Sequence, residues 1–256
     1  MTKIPRRLDV FWRIAATGFS FAVFGIFALV LACAVFPLFR TVCKKHQRRY
    51  LAQWGIQRSF VLFVAMLRGL RLLDFHVENA ELLKMDAGCV IVSNHPSLAD
   101  YFLLTALLPR CTCVVKEALW GNFFLGAIVR AAGYVPNRGA EEVIEACRER
   151  LAAGDPILIF PEGTRTRENF RLNPLQRGAA NIAVRCLADL RVVHIACVPR
   201  VLTKEKKWWQ TAPVRPRFSI RVGQKIRVKD FLRDAVPEAR AVRNLNEFLA
   251  NALLPP

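Results

Sequence analysis

The sequence predicts an α/β fold: a mixed central sheet flanked by helices, behind an N-terminal membrane-embedded helical segment. Two observations carry this. Short β-branched runs alternate with longer stretches of helical period across the C-terminal two thirds, the pattern of strands layered with helices. Ile14 to Phe39 forms an uncharged run of about 26 residues near the N-terminus, enough for a helix to span a bilayer with some tilt. At 256 residues the chain holds one sizeable core plus an appendage. The division expected is 1–73 for the anchoring helices and 74–256 for the globular domain.

The apolar run is flanked by basic residues on both sides, Lys3, Arg6, Arg7 and Arg13 before it and Arg40, Lys44, Lys45, Arg48 and Arg49 after it. A cleaved signal peptide would have a shorter apolar region and a cleavage site. The near-equal flanking charge does not fix an orientation. A second apolar stretch, Phe60 to Met66, lies between Arg58 and Arg68. It reads as a surface helix or as half of a helical hairpin, with Pro37 offering a place to bend.

Strands are expected at Phe75–Val77, Cys89–Val92, Cys113–Val115, Tyr134–Val135, Ile157–Phe160, Val192–Val198 and Phe218–Val222. Helices are expected at 97–108, 140–153, 175–189 and 236–253, with Gly154 as a stop and Asn173-Pro174 as a start. Lys204 to Arg217 reads as a basic loop carrying Trp208 and Trp209, suited to a membrane interface or to packing between domains.

The net charge of +18 favours anionic partners, above all anionic membrane lipids and phosphorylated substrates. The charge is scattered and no nucleic-acid reading motif accompanies it, so no nucleic acid is expected. The eight cysteines sit mostly in apolar patterns and read as reduced thiols rather than as metal ligands or disulfides; no metal is expected.

Two stretches carry chemistry. In the first, Cys89-Val90-Ile91-Val92 runs into Ser93-Asn94-His95-Pro96-Ser97-Leu98-Ala99-Asp100. Inside one helix, His95 and Asp100 would lie roughly 140° apart around the axis and about 7.5 Å along it. With His95 in a turn, Pro96 at the first helical position and Asp100 on the second turn, they can meet. A carboxylate on one ring nitrogen makes the other a better base. A helix cap or a satisfied core histidine is the duller alternative. In the second, Pro156-Ile157-Leu158-Ile159-Phe160 leads into Pro161-Glu162-Gly163-Thr164-Arg165, a strand end with a carboxylate, a glycine, a hydroxyl and a guanidinium suited to phosphate.

His95-Pro-Ser-Leu-Ala-Asp100 resembles the H-x4-D box of the glycerolipid acyltransferases, which include the 1-acylglycerol-3-phosphate and lysophospholipid enzymes. Phe160-Pro-Glu-Gly-Thr-Arg165 resembles their F-P-E-G-T-R box. Val115-Lys116-Glu117-Ala118-Leu119 and Gly133-Tyr134-Val135-Pro136-Asn137-Arg138 are similar to the middle block. The likeness covers roughly Val77 to Val201. The fourth block, an apolar strand with Ile-Pro-Val, is poorly matched by Val192 to Pro199, a departure that touches the acceptor or acyl pocket.

The resemblance implies transfer of an acyl group from acyl-CoA or acyl-carrier protein, with no cofactor, to the hydroxyl of a lysophospholipid. It points to 1-acylglycerol-3-phosphate as acceptor and phosphatidic acid as product. His95 is the expected base and Asp100 its orienter. Glu162, Gly163, Thr164 and Arg165 are implied in acceptor binding, with Lys116 and Arg138 as further phosphate candidates. The expected location is the cytoplasmic membrane, with the catalytic domain facing the cytosol. Transfer to another lipid or non-phosphate acceptor, a hydrolase using Ser93 or Ser97, and a scaffold without turnover remain as alternatives.

Overall fold

The structure, a computed structural model, describes residues 6–122, 125–233 and 236–254, without the side chains of residues 6, 7, 40, 45 and 46. Three helices come first: α1 Arg6–Val30, α2 Phe36–Val42 and α3 Lys45–Gly69. Between α1 and α2 the helix widens into a π-helical turn, Leu31–Val35, in which the Phe36 N–H donates to the Leu31 carbonyl five residues back. Pro37 supplies the cause: it has no N–H to give the preceding turn, and a locally widened ladder absorbs the loss. The chain reverses at Cys43 and Lys44, and α3 runs back along α1. Phe24 packs on Phe60 and Phe63, and the Trp12 indole donates to the Leu70 carbonyl at 2.9 Å. The N-terminus is thus a helical hairpin. Phe60 to Met66 is one part of a 25-residue helix rather than an element of its own.

The rest of the described chain builds a seven-stranded sheet ordered β1-β7-β6-β2-β5-β3-β4. The strands are β1 Asp74–Glu78, β2 Val90–Ser93, β3 Thr112–Lys116, β4 Val135–Asn137, β5 Ile157–Ile159, β6 Leu190–Val198 and β7 Arg217–Ile226. From β6 to β4 all neighbours are parallel; β7 runs antiparallel to β6, and β1 is parallel to β7. The sheet is therefore mixed, with its five central and edge strands on one side pointing the same way.

Side chains alternate across the pleat. Ile91 faces one core with α3, α4 (Ala99–Leu107) and α5 (Gly126–Ala131). Val90 and Val92 face the other, with α6 (Ala140–Ala152), α7 (Gly178–Arg185) and α8 (Glu238–Ala252). On α8, Ala241, Val242, Leu245 and Leu249 recur at helical spacing and are all buried. Each buried Leu is worth roughly 1.5–3 kcal/mol, enough to hold a helix whose outer face is charged.

Three local expectations differ. α4 begins at Ala99, and Pro96 lies in the preceding turn rather than at the first helical position. The Ser97 hydroxyl accepts the Ala99 N–H at 3.2 Å and so starts the helix three residues later. Asp100 therefore sits on the first turn, not the second. α7 begins at Gly178 instead of near Asn173-Pro174, because the Asn173 side chain is occupied by the loop before it. α5 has no counterpart among the expected helices.

Candidate active site

In a parallel sheet the strands deliver their following loops to one edge, and ligands bind there. Here β2 ends in His95, β5 in Phe160 to Arg165, β3 in Lys116, β4 in Arg138, and β6 in the Pro199–Thr203 loop. Because β2 lies between β5 and β6, the two motif loops and the Pro199–Thr203 loop converge.

His95 Nδ1 lies 3.0 Å from Asp100 Oδ2, which also accepts the Ser97 N–H at 2.7 Å. The turn from His95 to Asp100 is closed by Asp100 itself. Asp100 is fully buried, and its Oδ1 has no partner among the described residues. Burial raises the Asp100 carboxyl above the ordinary carboxylate range; the hydrogen bond from His95 pulls against it. Leaving Oδ1 unmet costs about 1–3 kcal/mol. The ring of His95 stacks on Phe160, centroids 4.1 Å apart and 20° from parallel. With Nδ1 committed to Asp100, Nε2 is the nitrogen free for a substrate.

Glu162 is buried, and both its oxygens are occupied. Oε1 accepts the His95 N–H and the Thr166 hydroxyl, each at 2.8 Å; Oε2 accepts the Asn173 N–H at 2.8 Å. The Thr166 N–H donates to the His95 carbonyl at 2.7 Å. The two motif loops are thus stitched together beneath His95. On the other flank the Asn94 side chain imitates backbone. Its amide donates to the Ile195 carbonyl and its oxygen accepts the Ile195 N–H, both at 2.8 Å, extending the β2–β6 ladder to the residue before His95. Thr166 and Asn94 are not assigned a site role from sequence, and Asn173 is read there only as a helix start. The signal available was a run of hydrogen-bonding residues directly flanking both boxes.

Arg165 is half-buried, and its Nη1 donates to the Leu202 and Thr203 carbonyls at 2.7 and 2.8 Å. The poorly matched fourth block thus forms β6, and the loop after it seats the guanidinium. Nη1 is committed to that loop; the remaining nitrogens of the fork are not. Gly163 is exposed with φ +67°, a conformation other residues adopt at a cost. Thr164 is half-buried beside it. Lys116 is exposed at the end of β3, two strand spacings or about 10 Å from β2. Arg138 follows β4, a further spacing out; it pairs with Glu142 at 3.3 Å and lies 6.0 Å over the Trp120 ring. The fold therefore gathers His95, Asp100, Glu162, Gly163, Thr164 and Arg165 on neighbouring strand ends. Lys116 and Arg138 stand on the same edge but apart.

Ser93 and Ser97 are fully buried. Ser93 donates to the Asn94 carbonyl at 3.0 Å, and the Ser97 hydroxyl accepts the Ala99 N–H. Neither bonds the imidazole, so neither forms a nucleophile–base pair. Cys89, Cys147 and Cys197 are buried, which pushes each thiol up to about 12 and leaves almost no thiolate near neutrality. An apolar cavity of about 220 Å³ lies between the N-terminal hairpin, α4 and the sheet, walled by Phe24, Leu31, Phe60, Tyr101, Val115 and Tyr134, among others. Tyr101 follows Asp100 in the chain and Val115 precedes Lys116, so the cavity flanks the edge that carries the two motif loops. Trp208 packs on Gly18 and edge-on to Phe21, fastening the basic loop to α1.

The acyltransferase family model matches residues 74–202, from the first strand through both motif loops. A 1-acyl-sn-glycerol-3-phosphate acyltransferase of Helicobacter pylori is 34% identical over 105 residues, 38% of this chain and 44% of that protein. Human 1-acyl-sn-glycerol-3-phosphate acyltransferase beta is 30% identical over 177 residues, 66% of this chain and 62% of that protein. One from Cocos nucifera is 30% identical over 136 residues, 50% of this chain and 41% of that protein. The aligned region thus spans less than two thirds of these relatives' own length. The crystal structure of the 1-acyl-sn-glycerophosphate acyltransferase PlsC from Thermotoga maritima superposes with a TM-score of 0.70 over 97% of this chain and 95% of that one, at 19% identity, which extends the shared fold through the N-terminal hairpin. Matched over half its length, with both boxes inside the matched region, the chain belongs to the acyltransferase family.

Proposed function

We propose that this chain is a membrane-bound O-acyltransferase. It moves a fatty acyl group from acyl-CoA or acyl-carrier protein to the free hydroxyl of 1-acylglycerol-3-phosphate, giving phosphatidic acid. The observation that carries the reading is the His95–Asp100 contact at the sheet edge, with Nε2 free and Arg165 on the adjacent strand end.

The chemistry follows from the residues. The acceptor hydroxyl attacks the thioester carbonyl carbon while His95 Nε2 takes its proton. Asp100 faces the imidazolium that forms and holds the tautomer that leaves Nε2 basic. The tetrahedral intermediate collapses, the carbon–sulfur bond breaks, and the leaving thiolate takes the proton back from Nε2. Ester and free thiol result, and His95 is restored. The guanidinium of Arg165 suits the acceptor phosphate, and the cavity beside Tyr101 suits an acyl chain.

The N-terminal hairpin serves as the membrane anchor. One continuous helical stretch, Leu8–Phe39, is long and apolar enough to cross a bilayer, and only 11% of its most apolar window is buried within the fold. A core helix would be mostly buried. Phe11, Phe19 and Ile26 on α1 and Leu62 on α3 are exposed outward, where a bilayer would cover them. The catalytic domain faces the cytosol, where both acyl donors reside. Retention of the protein in membranes through carbonate extraction is expected; release by salt would contradict the anchor.

A panel of lysolipids differing only in headgroup, offered with each donor in turn, tests the substrate assignment. Turnover is expected to be highest with the phosphate monoester. Equal turnover with lysophosphatidylcholine would contradict it and move the reading to another acceptor.

A further inference from the structure

A second cavity, of about 960 Å³, opens on the opposite edge of the sheet. Its wall includes Gly133, two residues before β4, and Arg150, near the end of the helix that precedes β5. These are the amino ends of β4 and β5, whose carboxyl ends carry Arg138 and the Phe160–Arg165 loop. The length of β3, about 16 Å for five residues, separates the two edges. This space is therefore not part of the site described above.

Four arginines line it: Arg48, Arg49, Arg130 and Arg150. No carboxylate lines it among the described residues. Two carboxylates outside the lining act on Arg150: Glu149, its chain neighbour, and Asp155, which is buried and already shared, 3.1 Å from Arg49 and 3.7 Å from Arg110. Arg48 uses Nε on the Cys43 carbonyl, and Arg130 uses one nitrogen on the Trp120 carbonyl. Arg150 is the odd one. Its Nε is buried with no partner among the described residues. Burial first, and then the charge of Arg49, lower its pKa. Like charges crowded together with unmet donors are a standing cost unless an anion joins them. Gly133 keeps the space open: at φ +68°, a Cβ there would fall 2.8 Å from Arg49 Cδ.

The facing wall is apolar and belongs to the N-terminal hairpin: Ala32, Phe36, Pro37 and Phe39. These residues close the helical stretch whose length and composition suit a bilayer. One wall thus matches a phosphate ester and the other a hydrocarbon, and they meet where the apolar helix gives way to basic chain. We propose that this cavity binds the phosphate of an anionic membrane phospholipid, with the glycerol and upper acyl chain against Phe36 and Phe39. A soluble phosphate ester shares the headgroup chemistry but has no use for the apolar wall. The inference is independent of which acceptor the catalytic edge takes.

The test is native mass spectrometry of the full chain in detergent, titrated with dioleoylphosphatidylglycerol, with dioleoylphosphatidylcholine in parallel. One phosphatidylglycerol should be retained by the unsubstituted chain at a concentration at least tenfold below that needed by the R130Q/R150Q variant, and in preference to phosphatidylcholine. Arg165→Ala and His95→Ala should retain it as the unsubstituted chain does, which separates this site from the catalytic edge. Coenzyme A, as a soluble phosphate ester, should not displace it. Where R130Q/R150Q fails to fold, Ala127→Glu, which puts a carboxylate into the cavity and leaves every arginine in place, should show the same loss. Equal retention by a folded variant, no headgroup preference, or displacement by coenzyme A would each overturn the proposal.

Discussion

The backbone N–H of His95 donates to Glu162 Oε1 at 2.8 Å, and that bond joins the two sequence motifs into one site. A carboxylate implied in acceptor binding is instead enclosed, with three donors on its two oxygens. Its place in the fold is to fix the height of His95 above the sheet.

Glu162→Gln keeps the size but turns an NH2 toward one of those donors. Hydrogen bonds to a charged acceptor are worth about 1.5–3 kcal/mol, so a misplaced base should lower kcat roughly 10- to 100-fold. The Michaelis constant for the lysolipid should change little. Steady-state kinetics with the acceptor varied check this. A large rise in that constant at unchanged kcat would return Glu162 to acceptor binding.

Asp100→Asn separates activity from stability. Burial raises the Asp100 carboxyl, so folding favours its protonated form. That contribution to stability is full below the ordinary aspartate value and is lost as pH rises through the raised value. The variant should therefore be at least as stable as the unsubstituted chain at neutral pH, and its pH-dependence of stability flatter. Its turnover should fall by two to four orders of magnitude, because the imidazolium loses its counter-charge. On the acid side, the unsubstituted enzyme loses rate as Asp100 takes its proton. Thermal melts and pH–rate profiles of the two proteins provide the measurement; a destabilised variant with normal kcat would contradict it.

Arg165→Ala should raise the Michaelis constant for lysophosphatidic acid about tenfold or more and leave that for the acyl donor nearly unchanged. Arg165→Lys keeps the charge but not the planar fork that reaches Leu202 and Thr203, so it should recover only part of the loss. Equal effects on both substrates would count against a phosphate at this position.

Most strands were legible because they are compact apolar, largely β-branched runs, and each of the seven overlaps an expected one, although β4 runs Val135–Asn137 rather than Tyr134–Val135. Their order was not: the pattern that makes Ile157–Ile159 a buried strand says nothing of its insertion between β2 and β3. His95 and Asp100 were legible as a pair because inside one helix they could not easily touch, whereas a turn before the helix lets them meet. The role of Glu162 was not, because its three donors come from residues 4, 11 and 67 positions away. α5 escaped because six residues, Gly126–Ala131, give too short a window for a helical period. Arg191 escaped too. It lies before the expected strand Val192–Val198, yet β6 begins at Leu190 and takes Arg191 in, 7% exposed and bonding Asp86 through Nε at 2.7 Å and Nη2 at 2.9 Å.

That pair yields a stability prediction. Asp86 is fully buried, and its removal leaves the Arg191 guanidinium inside without its partner. Asp86→Ala should cost about 3–5 kcal/mol, the usual penalty for breaking a buried pair from one side. Asp86→Ala with Arg191→Met should recover much of it. Denaturant titrations of the single and double variants check this; a single variant as stable as the unsubstituted chain would contradict it.

The most direct measurement is release of free thiol from an acyl thioester, followed with and without lysophosphatidic acid on the purified full chain and on His95→Ala. Release should require the lysolipid, match phosphatidic acid formed one to one, and fall by at least about 10² in folded His95→Ala. Thiol release without acceptor, or near-normal transfer by the folded variant, would contradict His95 as the base of an acyl transfer.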